Sequence, residues 1–175
     1  MHKPIPFHRV LEGFTCTRRA FLSQEEPLVE MPAAVLDYAS TQLRNITECD
    51  GTLELLEAPL LWVWKTKEHS SLVVLDDDPL FESDDNMVML LLQYALHRYD
   101  FTSGCWIQTV QKRLFTEVRS PMYAEALQQT VQDLQEALHS PATPPILEDT
   151  SKCLHCPVVE RCLPFVTDVS TPKPT

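Results

Sequence analysis

The sequence predicts one mixed α/β domain with a small sheet, and three observations point there. Helix signals occur in three separated segments. Between them stand two pairs of β-branched and aromatic runs, and a cysteine-rich segment follows the last helix. A chain of 175 residues fits one domain and is long enough to bury a core, and a hydrophobic content of 44% argues against disorder throughout. Three glycines against 14 prolines suit a helix-rich chain with sharp stops.

The elements follow in order. Pro32 opens a helix on which Leu36, Ala39, Leu43 and Ile46 recur at three- and four-residue spacing. Residues 60–76, LLWVWKTKEHSSLVVLD, read as a β-hairpin, with Lys65 and Lys67 at its exposed end. An acidic loop follows, carrying Asp76, Asp77, Asp78, Glu82, Asp84 and Asp85. The segment MVMLLLQYALHRY is apolar nearly all round and reads as a buried helix. CWIQTV and RLFTEV form a second strand pair, with Gln111 and Lys112 between them. Ser120 then caps a helix with Pro121 at its first position, and Leu127, Val131, Leu134 and Leu138 make its apolar stripe. A Pro-rich connector over 141–151 leads to CLHCPVVERCLP. The domain spans residues 1–165, and 166–175 is a polar, disordered tail.

Charge and hydropathy narrow the function. With 14 Lys+Arg against 25 Asp+Glu, the net charge of -11 disfavours direct DNA contact, because duplex affinity comes mostly from basic residues neutralising phosphates. It favours docking on a protein partner, a basic one that handles nucleic acid. No apolar stretch approaches the roughly 18–20 residues that span a bilayer, and MHKPIPFHRV lacks the apolar centre of a secretion signal. The expectation is a cytoplasmic protein with reduced thiols and no membrane partner.

Six cysteines are present, and Cys153-x2-Cys156-x5-Cys162 gathers three of them. A tetrahedral metal or a cubane cluster takes four ligands, so a fourth comes from elsewhere. Cys16, in FTCTRRAFL, is the best candidate. His155 points away from a pair chelating through its two neighbours. Cys49 and Cys105 read as small buried hydrophobes. Zinc sites usually combine two ligand pairs. One remote cysteine plus three close ones suits an iron–sulfur cluster better, with zinc the alternative.

Together, C-x-R-R-A-x-L at Cys16 and C-x2-C-P-x5-C at Cys153 resemble the iron–sulfur RecB-like nucleases, above all the CRISPR-associated RecB-like exonuclease family. The resemblance runs from about Phe7 to Pro164, although only its ends are specific. Where that family usually has C-P-R-R, this chain has Cys16-Thr17-Arg18-Arg19. The resemblance implies a compact PD-(D/E)XK nuclease-like core, a small mixed sheet flanked by helices, closed by a 4Fe-4S cluster on Cys16, Cys153, Cys156 and Cys162.

Such nucleases hold Mg or Mn on an Asp at the end of one core strand and an E-x-K on the next, with Q-x3-Y on the following helix and a histidine upstream. The chain contains neither E-x-K nor D-x-K. Asp76 is the one weak catalytic candidate, and Asp78 stands where the lysine belongs. LLWVWK ends in Trp64 and Lys65 rather than Asp. Tyr94 matches the family tyrosine, but Leu90 occupies the glutamine position, and His8 precedes the cysteine instead of following it. The metal site reads as dismantled.

The expected function is a non-catalytic iron–sulfur subunit or accessory protein of a CRISPR-type or related DNA-processing defence complex. Two alternatives stand beside it: an active Mn- or Mg-dependent exonuclease on single-stranded DNA, and a zinc-stapled interaction module. Arg18 and Arg19 are candidate contacts for a phosphate or a partner, with surface salt bridging as the plainer reading. Trp62, Trp64 and Trp106 belong to a core or interface more readily than to a base-stacking platform.

Overall fold

Pro6 is the N-cap of α1 (Phe7–Thr15), which turns Phe7, Val10 and Leu11 inward. Cys16 breaks the helix with extended backbone, φ -165° and ψ 116°, and α2 (Thr17–Leu22) starts beyond it. Both helices lie in a stretch whose periodicity is too short to predict them. The computed structural model describes residues 4–24, 26–77, 85–123 and 127–145, with Cys153, Cys156, Val158 and Cys162. Asp78, Glu82 and Asp84, His155 and the 166–175 tail lie outside the described residues.

Pro32 is the N-cap of α3 (Ala33–Thr47), which ends on Glu48 in the left-handed region at φ 54°. Ala39 and Leu43 are buried as expected, whereas Ile46 is exposed. The sheet is five-stranded and its order follows the sequence: β1 (Thr52–Glu57), β2 (Leu61–Lys65), β3 (Ser70–Asp76), β4 (Ser103–Gln108) and β5 (Arg113–Val118). Only β3 and β4 pair in parallel, with α4 (Asp85–Arg98) as their crossover. Both predicted hairpins form, and β1 adds an unpredicted edge strand. The last helix differs at its start. Pro121–Tyr123 form a short 3-10 turn, and α5 (Gln128–His139) begins after Leu127, so Ser120 is not its cap.

Two apolar clusters cover the two sheet faces. Leu61, Leu72, Val74 and Trp106 pack with α1, α2, α4 and α5. Trp64, Val73, Leu75, Cys105 and Ile107 pack with α3. Trp64 and Trp106 are buried core residues, and Trp62 is half-buried. The approach of α5 to α1 depends on Gly13, where a Cβ would stand 2.4 Å from a Leu134 methyl. Gln93, fully buried on α4, ties that helix to β5. Its amide donates to Glu117 Oε2 (2.7 Å) and the Val118 carbonyl (2.8 Å), and its Oε1 accepts the Ser120 N–H (2.9 Å).

Cys105 is buried, as expected, and burial pushes its thiol up to about 12. Cys49 is exposed, which corrects its reading as a buried hydrophobe: it lies just past the left-handed end of α3, outside both cores. No helix among the described residues is long and apolar enough to cross a membrane.

Candidate metal centre

The joint between α1 and α2 places Cys16. Its N–H donates to the Glu12 carbonyl (2.8 Å), closing α1, and its carbonyl accepts the Ala20 N–H (3.1 Å), opening α2. The half-buried Cys16 is thus held by backbone at both ends of the helix break. The C-terminal cysteines hang on local turns: Cys156 N–H to the Cys153 carbonyl (3.2 Å), and Cys162 N–H to the carbonyl of buried Val158 (3.2 Å).

Arg18 connects the two ends of the chain. Its Nε lies 3.0 Å from Cys162 Sγ, and its Nη1 donates to the Pro144 carbonyl at 2.7 Å. Burial raises the Cys156 thiol above its ordinary value, and the neighbouring Cys16 and Cys162 thiols add to the rise. A hydrogen bond from the Val158 backbone and the positive charge of Arg19 oppose it. Cys16 and Cys162 each stand within electrostatic reach of Cys156, and the Arg18 guanidinium lies against Cys162.

All six cysteines are free thiols. Among the described residues, no group of three or more His, Cys, Asp and Glu side chains is arranged ready to hold a metal ion. The donors nevertheless suit a thiolate-bound group. Cys16, Cys153, Cys156 and Cys162 are all half-buried, and Arg18 and Arg19 offer positive charge against the negative charge that four thiolates would carry. Arg18 reaches this segment directly, and Arg19 is only 8% exposed.

The second candidate position, Asp76, ends β3 and is 1% exposed. Trp106 Nε1 donates to its Oδ2 at 3.3 Å, and its carbonyl accepts the Thr109 N–H at 2.9 Å. On one side its strand neighbour is Gln108 of β4. On the other, the Leu75 N–H donates to the Leu60 carbonyl, so β2 brings Pro59 and Leu60 to this end. On LLWVWK the nuclease pattern puts the second carboxylate at the far end of β2. Lys65 lies there, beside Glu54 and opposite Ser70, at the other end of the sheet from Asp76. At either end, β2 lacks an Asp.

Asp76 and Asp77 open on a cavity of about 350 Å³ that is also lined by His8, Arg9, Glu12 and Arg19. Arg9 donates to Glu12 Oε2 (2.8 Å) and Ser23 Oγ (2.6 Å). Among the described residues, no lysine lines this cavity. His8 precedes Cys16 in the chain, yet α1 carries it to the Asp76 cavity. It is 8% exposed, and neither ring nitrogen has a hydrogen-bond partner among the described residues. Burial, and then the charge of Arg9, lower its pKa below the usual histidine value. Tyr94 packs on Phe7, their ring centroids 6.4 Å apart, and its hydroxyl accepts from Arg98 (3.2 Å). Leu90, at the glutamine position of the family pattern, is half-buried on α4.

In comparisons with known proteins, the chain matches no family model and no curated protein.

Proposed function

We propose that this protein is a non-catalytic iron–sulfur subunit of a CRISPR-type or related DNA-processing defence complex, built on a nuclease-like core. One observation carries the reading. Arg18, two residues beyond Cys16, bonds Cys162, while Asp76 has Gln108, Pro59 and Leu60 beside it on the sheet where a nuclease needs carboxylate and lysine. The strand order and parallel β3–β4 pairing support a PD-(D/E)XK-type core.

Cys16, Cys153, Cys156 and Cys162 would hold the cluster. Bound there, a 4Fe-4S group supplies a covalent staple between α1–α2 and the C-terminal segment. The chain's own residues do the rest. Arg18 and Arg19 offset thiolate charge, and the bond from the Cys162 N–H to the Val158 carbonyl holds Cys162 beside Arg18. With a net charge of -11, the surface suits a basic protein partner better than bare DNA.

A second reading has one observation in its favour: His8 and Asp76 share a cavity, as a Mn- or Mg-dependent exonuclease on single-stranded DNA would require. A nuclease assay separates the two. Anaerobically prepared protein is incubated at high concentration with 5′-labelled single-stranded DNA and either Mn or Mg. The expected result is no degradation above a metal-free control. Degradation that Asp76→Ala abolishes would establish the exonuclease instead.

A further inference from the structure

The sheet has two outer strands whose edges differ in chemistry. β1 is a poor template for another strand: its ladder slips between Leu55 and Glu57, and it carries Glu54 and Glu57 without a basic residue. Irregular register and like charge are common protections of an edge. β5 has neither. Its pairing with β4 is regular from Arg113 to Val118, and it contains no proline or glycine. Leu114 and Val118 are 37% and 72% exposed. Among the described residues, no strand pairs with its outer side.

Arg113-Leu114-Phe115-Thr116-Glu117 is also complementary to itself when reversed. Residues directly opposite in an antiparallel pair share a sheet face. In a pair of β5 strands centred on Phe115, Arg113 of each copy faces Glu117 of the other. Leu114 faces Thr116, and Phe115 faces Phe115. The faces agree as well. Phe115 packs against the core on the α4 side, where Gln93 holds Glu117, and Leu114, Thr116 and Val118 lie on the α3 side. Both charges are already ordered: Arg113 bonds Asp85 and lies 4.8 Å from the Phe115 ring centroid, and Glu117 accepts from Gln93 at 2.7 Å. On the α3 side, a hollow of about 250 Å³ between Ile46, Trp64 and Val118 leaves apolar surface beside the same strand.

We propose that β5 is the interface of a two-fold symmetric homodimer in which the sheet continues from one copy into the next. This rests on the edge strand alone and is independent of the cysteine reading. Its closed symmetry uses up the one edge that lacks protection.

Sedimentation equilibrium on the full chain tests it. The wild type is expected to dimerise, more weakly at high salt. Arg113→Glu and Glu117→Arg each place like charges opposite one another at both pairs, and each should weaken self-association at least about tenfold. Mixed one to one, the two variants have both pairs opposite again and should recover the dimer. Glu117→Arg also removes the bond from Gln93. Amide exchange on the wild type at two concentrations therefore serves as a readout without any variant, with protection of 113–118 rising as the dimer forms. A wild type that stays monomeric up to its solubility limit overturns the proposal. So does a dimer that neither substitution weakens, or open-ended polymers, which indicate β1-to-β5 pairing.

Discussion

His8 shows how burial sets a pH response. Its pKa in the folded chain lies below the value of 6.5 that an unfolded chain gives it. Above 6.5 both states hold the ring neutral, and its contribution to stability is fully present. As pH falls below 6.5, the unfolded chain takes up a proton that the fold resists, and that stability is lost down through the folded pKa. Urea unfolding should therefore show lower stability at about pH 5.5 than at about pH 7.5, with the slope reduced in His8→Leu. Equal slopes in the two proteins would mean that His8 is solvated. Nothing in the sequence signals this histidine's setting. One turn of helix α1 and the end of β3, 68 positions apart in number, meet only through tertiary packing.

At the scale of elements, Gln93 is the clearest joint. The apolar run of α4 marks a buried helix, and its glutamine reads as an incidental polar residue until β5 supplies two partners for it and Ser120, just beyond, a third. Gln93→Leu leaves the Val118 carbonyl, the Ser120 N–H and Glu117 without their partner. By chemical denaturation it should cost about 1–3 kcal/mol, the penalty of unmet buried polar groups. A loss below about 0.5 kcal/mol would show that water replaces the amide.

The same elements show what was legible. The hairpins were readable because β-branched and aromatic runs flank polar turns, and α3 because its apolar residues recur at helical spacing from Pro32. β1 was not, because TLELLE at the sheet edge is mostly exposed and has no buried alternation to reveal it. α1 and α2 are short and interrupted at Cys16, so neither offers enough turns for a period to show. The late start of α5 reflects α4 holding Ser120, whose carbonyl lies 2.9 Å from His97 Nε2, and Pro121 entering a 3-10 turn.

For the whole molecule, the central question is what joins its ends. Sequence could put Cys16 forward as a partner of the Cys153–Cys162 segment only by ligand count and motif resemblance, because spacing cannot report a contact across more than 130 positions. The fold brings the two regions together through Arg18, which bonds both Cys162 and Pro144. A thiolate-bound cluster there would make the ends of the chain one unit, and its loss would release the C-terminal segment from α2.

The decisive measurement is the iron, acid-labile sulfide and zinc content of anaerobically purified protein, alongside Cys16→Ala. The account predicts iron and sulfide at about four per chain, both lost in the variant. Zinc at about one per chain, without sulfide and unchanged by Cys16→Ala, would contradict it and leave a local zinc knuckle in place of a staple between the chain's two ends.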